Sequence, residues 1–128
     1  MEAGLEHLSW AGGTLRYVDA LLLVAEPQSK VLLTARRAFH LAAQLGIERV
    51  AFVGNRVRAG EEPRLREFVA SLDADLLAVI PEDPAVVAAD RAGQCVLDHA
   101  PDSAVVAAVR KLADDLQDRY LQPLAVPE

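Results

Sequence analysis

Three apolar runs, each followed by residues at helical spacing, set the pattern of this 128-residue chain. The runs lie at 20–25, 50–53 and 76–80 and contain only Ala, Val, Leu, Ile and Phe. Continuous apolar runs of this length, bounded by polar residues or proline, are typical of strands that are buried on both faces of a parallel sheet. Each run is therefore predicted to be a strand.

Apolar residues at helical spacing follow the runs. Ser29 is predicted to cap a first helix that ends at Gly46. A second helix is predicted to begin near Glu62–Pro63, a short third helix to cover 86–92, and a last helix to begin after Ser103. This alternation of strands and helices predicts βαβ units with right-handed crossovers.

A weak additional strand is predicted at Cys95–Leu97, at the edge of the sheet, with Cys95 as a small buried residue. The fold class is then α/β, with a small, mostly parallel sheet of about four strands and flanking helices. Strands laid side by side in chain order put the crossover helices on one face. The other face is left to the last helix and the N-terminal segment, and the strand at 20–25 becomes an edge that invites pairing with another chain.

The domain organisation follows from length and periodicity. Residues 1–122 are predicted to form a single α/β domain, and 123–128, which has no periodicity, a frayed tail. Within the domain, the segment 1–18 combines glycines with apolar residues such as Leu8 and Trp10. Such residues need a surface to pack on.

Composition and charge narrow the function classes. The chain is 52% hydrophobic and carries 13 basic against 19 acidic residues, a net charge of −6. Its basic residues are scattered, which disfavours nucleic acid as a partner. One cysteine excludes an internal disulfide. No run is long enough to cross a membrane and no signal peptide is evident, so we expect a cytoplasmic protein without a membrane partner.

Polar or proline-constrained residues follow each of the three main strands: Glu26–Pro27, Gly54–Arg56 and Pro81–Asp83. In open α/β sheets, ligands bind in the crevice beyond the carboxyl ends of the strands. The side-chain amide of Asn55 is suited to read the edge of a bound base or another planar group. The three strand ends are therefore the candidate binding site.

Each of these segments also has a purely structural interpretation. Gly54–Asn55 is ordinary turn chemistry. Pro81–Pro84 could be a strand stop followed by a proline in the first turn of a helix. Arg56 could be a solvated arginine. The residues alone leave both interpretations open.

Together with the run Glu2–Leu8, the ordered strand ends resemble the C-terminal half of MinD/ParA-type deviant P-loop ATPases. The closest resemblance is to the CooC-type maturation factor of carbon monoxide dehydrogenase, a nickel-insertion ATPase. It extends from Met1 to about Leu116, and its most specific parts are Glu2–Leu8 and Val79–Asp83. It implies half of a P-loop NTPase-like three-layer fold.

The resemblance also implies residue roles. Ala3 and Gly4 would lie in a switch II-like loop, which senses the γ-phosphate through its backbone. Asn55 would bind the adenine edge, and the segment 81–83 would close over the base. By resemblance, the nucleotide-binding residues are Asn55, Arg56, Pro81, Glu82 and Asp83.

The given sequence also departs from this family. The 128 residues contain no G-x-x-x-x-G-K-[ST] loop to hold phosphates and Mg²⁺, and no Cys-x-Cys pair. We expect no catalytic residues and no hydrolysis by this chain alone, with ATP or ADP and Mg²⁺ bound only if a missing half is supplied. The chain is interpreted as a truncated or split ATPase half that retains the adenine side.

Partners and alternatives complete the prediction. Expected partners are a second copy or the missing N-terminal half, and a metalloenzyme client. No metal site is expected within one copy, because His7, His40 and His99 are spread along the chain. The alternative function is a stand-alone, non-catalytic interaction module that dimerises through its exposed edge strand. A flavodoxin-like or receiver-like domain is disfavoured, because no acidic cluster follows the first strand.

Overall fold

The computed structural model describes residues 20–119. Within this range one helix follows each of the first two strands and three helices follow the third. They are β1 (Leu21–Ala25), α1 (Ser29–Gln44), β2 (Val50–Val57), α2 (Glu62–Ser71), β3 (Asp75–Pro81), α3 (Pro84–Arg91), α4 (Val96–His99) and α5 (Ala104–Arg119). The predictions for Ala3, Gly4, the segment 1–18 and the tail 123–128 concern residues outside this range.

The three strands form one parallel sheet in the order β1-β2-β3. Leu21 lies opposite Val50 and Ala25 opposite Gly54, so β1 and β2 run in step and their carboxyl ends reach the same edge. The predicted parallel sheet, laid down in chain order, is confirmed. β1 is an outermost strand of this sheet, as predicted.

Two apolar clusters cover opposite faces of the sheet, because successive strand residues point to opposite sides. On one face, Phe52 is fully buried beneath α1 and α2 and contacts the rings of Phe39 and Phe68, with centroids 5.6 and 5.7 Å away. On the other face, Val53 packs with Val105 of α5. The crossover helices therefore share one face and the last helix lies on the other, as the sequence predicts.

The helices are amphipathic. The buried residues of α1 recur every three or four positions and form one stripe: Leu32, Ala35, Ala38 and Ala42. α5 turns Val105 and Val106 toward the sheet. None of the helices in the described part of the chain has the length and apolar content needed to span a membrane.

The predicted strand at Cys95–Leu97 is wrong: Val96–His99 forms the short helix α4. The N–H groups of Asp98 and His99 both donate to the carbonyl oxygen of Cys95, at 3.0 and 2.9 Å. Three apolar residues are too few for periodicity to distinguish a strand from a helical turn. The sheet of residues 20–119 consequently has three strands, not four, and Cys95 is exposed rather than buried.

Ser29 is also not the cap of the first helix. It is the first residue of α1, and Gln28 precedes the helix without a side-chain capping bond. The Ser29 hydroxyl instead accepts a hydrogen bond of 2.6 Å from Nη2 of Arg64, on α2. This contact joins the two helices that share a face of the sheet.

Candidate functional site

A bulge shapes the carboxyl end of β2. Gly54 pairs with Val79 and Val57 with Pro81, so two residues of β2 lie opposite one residue of β3. Arg56, within this bulge, has a positive φ of 50°. The prediction that the strand ends at Gly54 is therefore wrong, because the extra residue is accommodated by a bulge and pairing continues to Val57.

Gly54 is required by close packing at the start of the bulge. It is buried, and a Cβ at this position would overlap the Leu65 side chain of α2. Leu65 itself is completely buried, so it would have to move within the core to make room for such a Cβ. The glycine that resembles turn chemistry in the sequence thus lets a helix lie directly against the strand.

The Arg56 guanidinium lies between the ends of β1 and β3. Its Nη1 is 3.6 Å from Oε1 of Glu26, and its Nη2 is 3.8 Å from Oε1 of Glu82. The Arg56 side chain is 59% exposed. Exposed ion pairs at such distances contribute little to stability, so Arg56 can leave these carboxylates at small cost.

A tighter ion pair joins Arg58 to Glu82. Nε of Arg58 donates to Oε2 at 2.9 Å and Nη2 to Oε1 at 3.5 Å, in a fork-like arrangement. The hydrogen bond and then the charge of Glu82 raise the pKa of Arg58. The backbone N–H of Glu82 donates to the carbonyl oxygen of Val57 at 3.0 Å, which fixes the end of β3 against β2. Glu82 is thus held from both sides.

Asp83 connects two helix starts. Its Oδ1 accepts the N–H of Ala85 at 2.9 Å, in the first turn of α3, and its Oδ2 accepts the N–H of Val105 at 3.1 Å, in the first turn of α5. The bond from Ala85, followed by that from Val105, lowers the pKa of Asp83. The two helices and the end of β3 are therefore joined through one carboxylate.

Together these residues border an open, polar crevice at the carboxyl edge of the sheet. It is lined by Glu26, Pro27, Gln28, Arg56, Arg58, Glu61 and Glu82. Asn55 belongs to the same bulge but is half-buried and does not line this crevice. Its side-chain amide makes no hydrogen bond within residues 20–119. The surrounding carboxylates disfavour phosphate groups at this position.

The structure brings some of the predicted site residues together and separates others. Arg56 and Glu82 form an ion pair, and Pro81 is the β3 partner of the bulge. Asp83 turns its carboxylate toward helix starts, and its predicted contact with a base stays a prediction. Sequence reasoning missed Arg58, whose partner Glu82 is 24 positions away and leaves no local signal.

Metal-ligating side chains are dispersed among the described residues. In this part of the chain no three His, Cys, Asp or Glu side chains lie close enough to hold a metal ion. His99 interacts through Nδ1 with Oε1 of Gln94 at 2.8 Å.

Comparison with known proteins identifies relatives of this chain. No protein-family model matches it. It is 38% identical over 106 residues to the carbon monoxide dehydrogenase accessory protein CooC of Rhodospirillum rubrum, a match that covers 79% of this chain and 37% of that protein. It is 35% identical over 95 residues to an uncharacterized ATP-binding protein of Methanocaldococcus jannaschii, covering 73% of this chain and 36% of the relative.

The fold is that of MinD. The MinD cell division protein of Aquifex aeolicus superposes with a TM-score of 0.71 and 20% identity, over 81% of this chain and 46% of that protein. The chain thus spans little more than a third of the curated relatives and less than half of the solved structure. These matches confirm the predicted resemblance to a part of MinD/ParA-type ATPases of the CooC kind.

Proposed function

From this relationship to CooC in sequence and to MinD in fold, we propose that the chain forms the base-binding side of a CooC-like ATPase site. The observation that carries the proposal is the unengaged amide of Asn55 in a bulge between two other polar strand ends. An amide offers one donor side and one acceptor side, which is the pattern needed to read the edge of adenine.

The residues around Asn55 support a planar ligand. Arg56 is bound only loosely to Glu26 and Glu82, so its guanidinium is free to move over the face of a base, where cation–π attraction favours it. The segment 81–83 is held by backbone and side-chain bonds and provides a fixed wall. A pre-formed wall and one mobile cation are suited to an aromatic ring.

Phosphoryl transfer requires groups that the 128 residues do not contain. Phosphoryl transfer depends on a glycine-rich loop, its lysine and Mg²⁺, which together neutralise the developing charge. The 128 residues contain no such loop, and Glu26, Glu61 and Glu82 line the crevice. We therefore infer that hydrolysis needs a phosphate loop from another segment or polypeptide, and that ATP and Mg²⁺ bind fully only in that assembly.

Calorimetry tests this proposal. We expect adenosine and Mg²⁺–ATP to bind weakly and with similar affinity, because only the base is recognised, and we expect no phosphate release. Asn55→Ala should abolish the heat of both ligands, whereas Gln117→Ala, an exposed amide on α5, should leave it unchanged. Mg²⁺-dependent turnover by this chain, or ATP binding far tighter than adenosine binding, would contradict the proposal.

A second candidate function rests on β1. This strand pairs only with β2 among the described strands, so one of its edges is unpaired within residues 20–119. An uncovered edge of this kind can pair with a second copy, which would make the chain a dimerising interaction module. Light scattering distinguishes the possibilities: we expect a dimer that Val24→Lys dissociates and that Val87→Lys, on α3, leaves intact. A monomer at high concentration would exclude this function.

A metalloenzyme client is suggested by the relative alone. The Rhodospirillum rubrum relative is named as an accessory protein of carbon monoxide dehydrogenase. We propose that the assembled ATPase serves a client of that kind, with nickel as its cargo. Gel filtration with purified metal-free carbon monoxide dehydrogenase, with and without Mg²⁺–ATP and the phosphate-loop half, tests this, and absence of co-elution in every mixture would argue against it.

A further inference from the structure

The outer surface of α1 is positively charged in an otherwise acidic protein. The helix carries Lys30, Arg36 and Arg37 and contains no Asp or Glu over its 16 residues. The whole chain has a net charge of −6. All of its acidic residues lie outside α1, so α1 differs in charge from the chain as a whole.

Helical spacing gathers these cations around one apolar side chain. Leu33 follows Lys30 by three positions and precedes Arg36 and Arg37 by three and four, so all lie on one side of α1. The buried stripe of the helix, which includes Ala35, faces the sheet instead. Leu33 is 50% exposed and provides the apolar centre of this side of the helix.

α2 extends the same surface. Nη2 of Arg64 donates to the Ser29 hydroxyl at the start of α1, at 2.6 Å. The Arg36 guanidinium carbon lies 5.9 Å from the centroid of the Phe68 ring, on α2. Both contacts fix the arginines on the shared face without neutralising their charge.

No carboxylate compensates this charge within residues 20–119. None of the four cations Lys30, Arg36, Arg37 and Arg64 lies within 4.0 Å of a carboxylate oxygen there. Arg66, by contrast, pairs with Glu62 at 2.7 Å on the neighbouring side of α2. Carboxylates are therefore present on α2, but none of them forms an ion pair with these four cations.

We name this surface the basic face and define it by Lys30, Leu33, Arg36, Arg37 and Arg64. We propose that the basic face docks an acidic, amphipathic helical segment of another protein. An apolar centre surrounded by charge is the usual anatomy of a protein interface. α1 is about 24 Å long, enough to lie along a partner helix of several turns. This inference does not depend on the proposed nucleotide site.

The chemistry favours a protein partner over nucleic acid. Phosphate contacts would use the cations of the basic face but would leave Leu33, which is 50% exposed at its centre, without a partner. A peptide that carries both carboxylates and an apolar stripe complements both parts of the basic face. Charge complementarity of this kind sets orientation and rejects wrong partners.

The test uses a fluorescein-labelled synthetic helix of alternating Glu and Leu stripes, with fluorescence anisotropy as the readout. We expect the helix to bind, and its affinity to fall as the salt concentration rises. Arg37→Glu and Leu33→Asp should each lower this affinity by at least about tenfold. The matched controls are Arg110→Glu, an exposed cation on α5, and Leu97→Asp, whose leucine is 46% exposed on α4. Both should bind as the unchanged chain does, and circular dichroism verifies that all four variants fold.

Several outcomes would overturn the proposal. Tighter binding of a single-stranded oligothymidylate, lost in the same variants, would assign the face to nucleic acid. Self-association abolished by Arg37→Glu would assign it to a second copy. If Arg37→Glu weakens peptide binding and Leu33→Asp does not, the attraction is unspecific charge attraction and not docking. If the peptide does not bind at all, the basic face has no such docking role.

Discussion

At the scale of single residues, Asp83 is important because its carboxylate joins the starts of two helices. Its two carboxylate oxygens accept N–H groups from Ala85 and Val105, in the first turns of different helices. Helix starts have unsatisfied N–H groups and favour negative charge, so one carboxylate stabilises both. It thereby sets where α3 and α5 leave the crevice.

This arrangement predicts a pH-dependent contribution to stability. Because the backbone N–H groups lower the pKa of Asp83 below its ordinary value of 3.8, the carboxylate stabilises the fold fully above that value. The contribution is lost as the pH falls through the lower pKa of the folded state. In urea unfolding we expect Asp83→Asn to be less stable than the unchanged chain at neutral pH and equal to it in strong acid.

The control for this experiment is Asp90→Asn, an exposed aspartate on α3. Its free energy of unfolding should follow that of the unchanged chain at every pH. A difference between Asp83→Asn and the unchanged chain that persists undiminished into strong acid would show that charge at Asp83 is not the cause.

Arg56 contributes a charge to the crevice and also has an unusual backbone conformation. Its φ of 50° is in the left-handed region, which glycine adopts at little cost and β-branched residues avoid. Both Arg56→Gly and Arg56→Val remove the guanidinium, so their difference isolates the backbone. We expect Arg56→Val to be less stable than Arg56→Gly by about 1–2 kcal/mol in urea unfolding. Equal stability would mean that the bulge is absent or rearranges freely.

Few of these residue-level features could be predicted from the sequence. The apolar run before Asn55 and Arg56 predicts that both follow a strand, and in the structure both lie in the bulge. The ion pair of Arg58 with Glu82 and the bond from Val105 to Asp83 join residues 24 and 22 positions apart. Contacts of that range depend on how helices and strands pack, which local patterns do not encode.

At the scale of elements, the sheet face on which α5 packs carries two exposed valines within residues 20–119. Val109 lies between Val105 and Val106 in angular position on α5, yet it is 47% exposed, and Val24 of β1 is 39% exposed. The core on this face is centred on β2 and β3. An additional apolar layer over β1 would complete it.

The sequence predicts that the N-terminal segment forms this layer, and Trp10 provides a probe because it is the only tryptophan. If the segment packs there, Trp10 fluorescence should be blue-shifted, and both Val24→Asp and Val109→Asp should shift it to the red. Val87→Asp alters a valine that is 54% exposed on α3 and should have no effect. A solvent-like emission in the unchanged chain would place the segment elsewhere.

Elements were predicted well where their periodicity is long and poorly where it is short. The three main strands and α1, α2 and α5 follow from runs of apolar residues and helical stripes. The predicted end of β2 is wrong because Gly54–Asn55 resembles a turn in the sequence. In the structure Gly54 instead allows close packing against Leu65. The strand predicted at Cys95–Leu97 is wrong because so short an apolar run fits a helical turn equally well.

At the scale of the whole molecule, the chain corresponds to part of a larger ATPase-like architecture. It covers 37% of CooC and 46% of a MinD structure with which its fold superposes. Within residues 20–119 its sheet has β1 as an outermost strand, and the 128 residues contain no phosphate loop. A division of labour follows from the proposed function, in which this part reads the base and another part handles the phosphates.

The most direct test of the central claim uses Asn55, the only asparagine in the chain. Selective ¹⁵N-asparagine labelling therefore gives one side-chain amide nitrogen signal in an NMR spectrum, correlated with the two protons of its NH₂ group. We expect millimolar adenosine and Mg²⁺–ATP to move that signal along the same path and to the same extent, and uridine to leave it in place. A signal that none of the three ligands moves, or one that only Mg²⁺–ATP moves, would contradict the account.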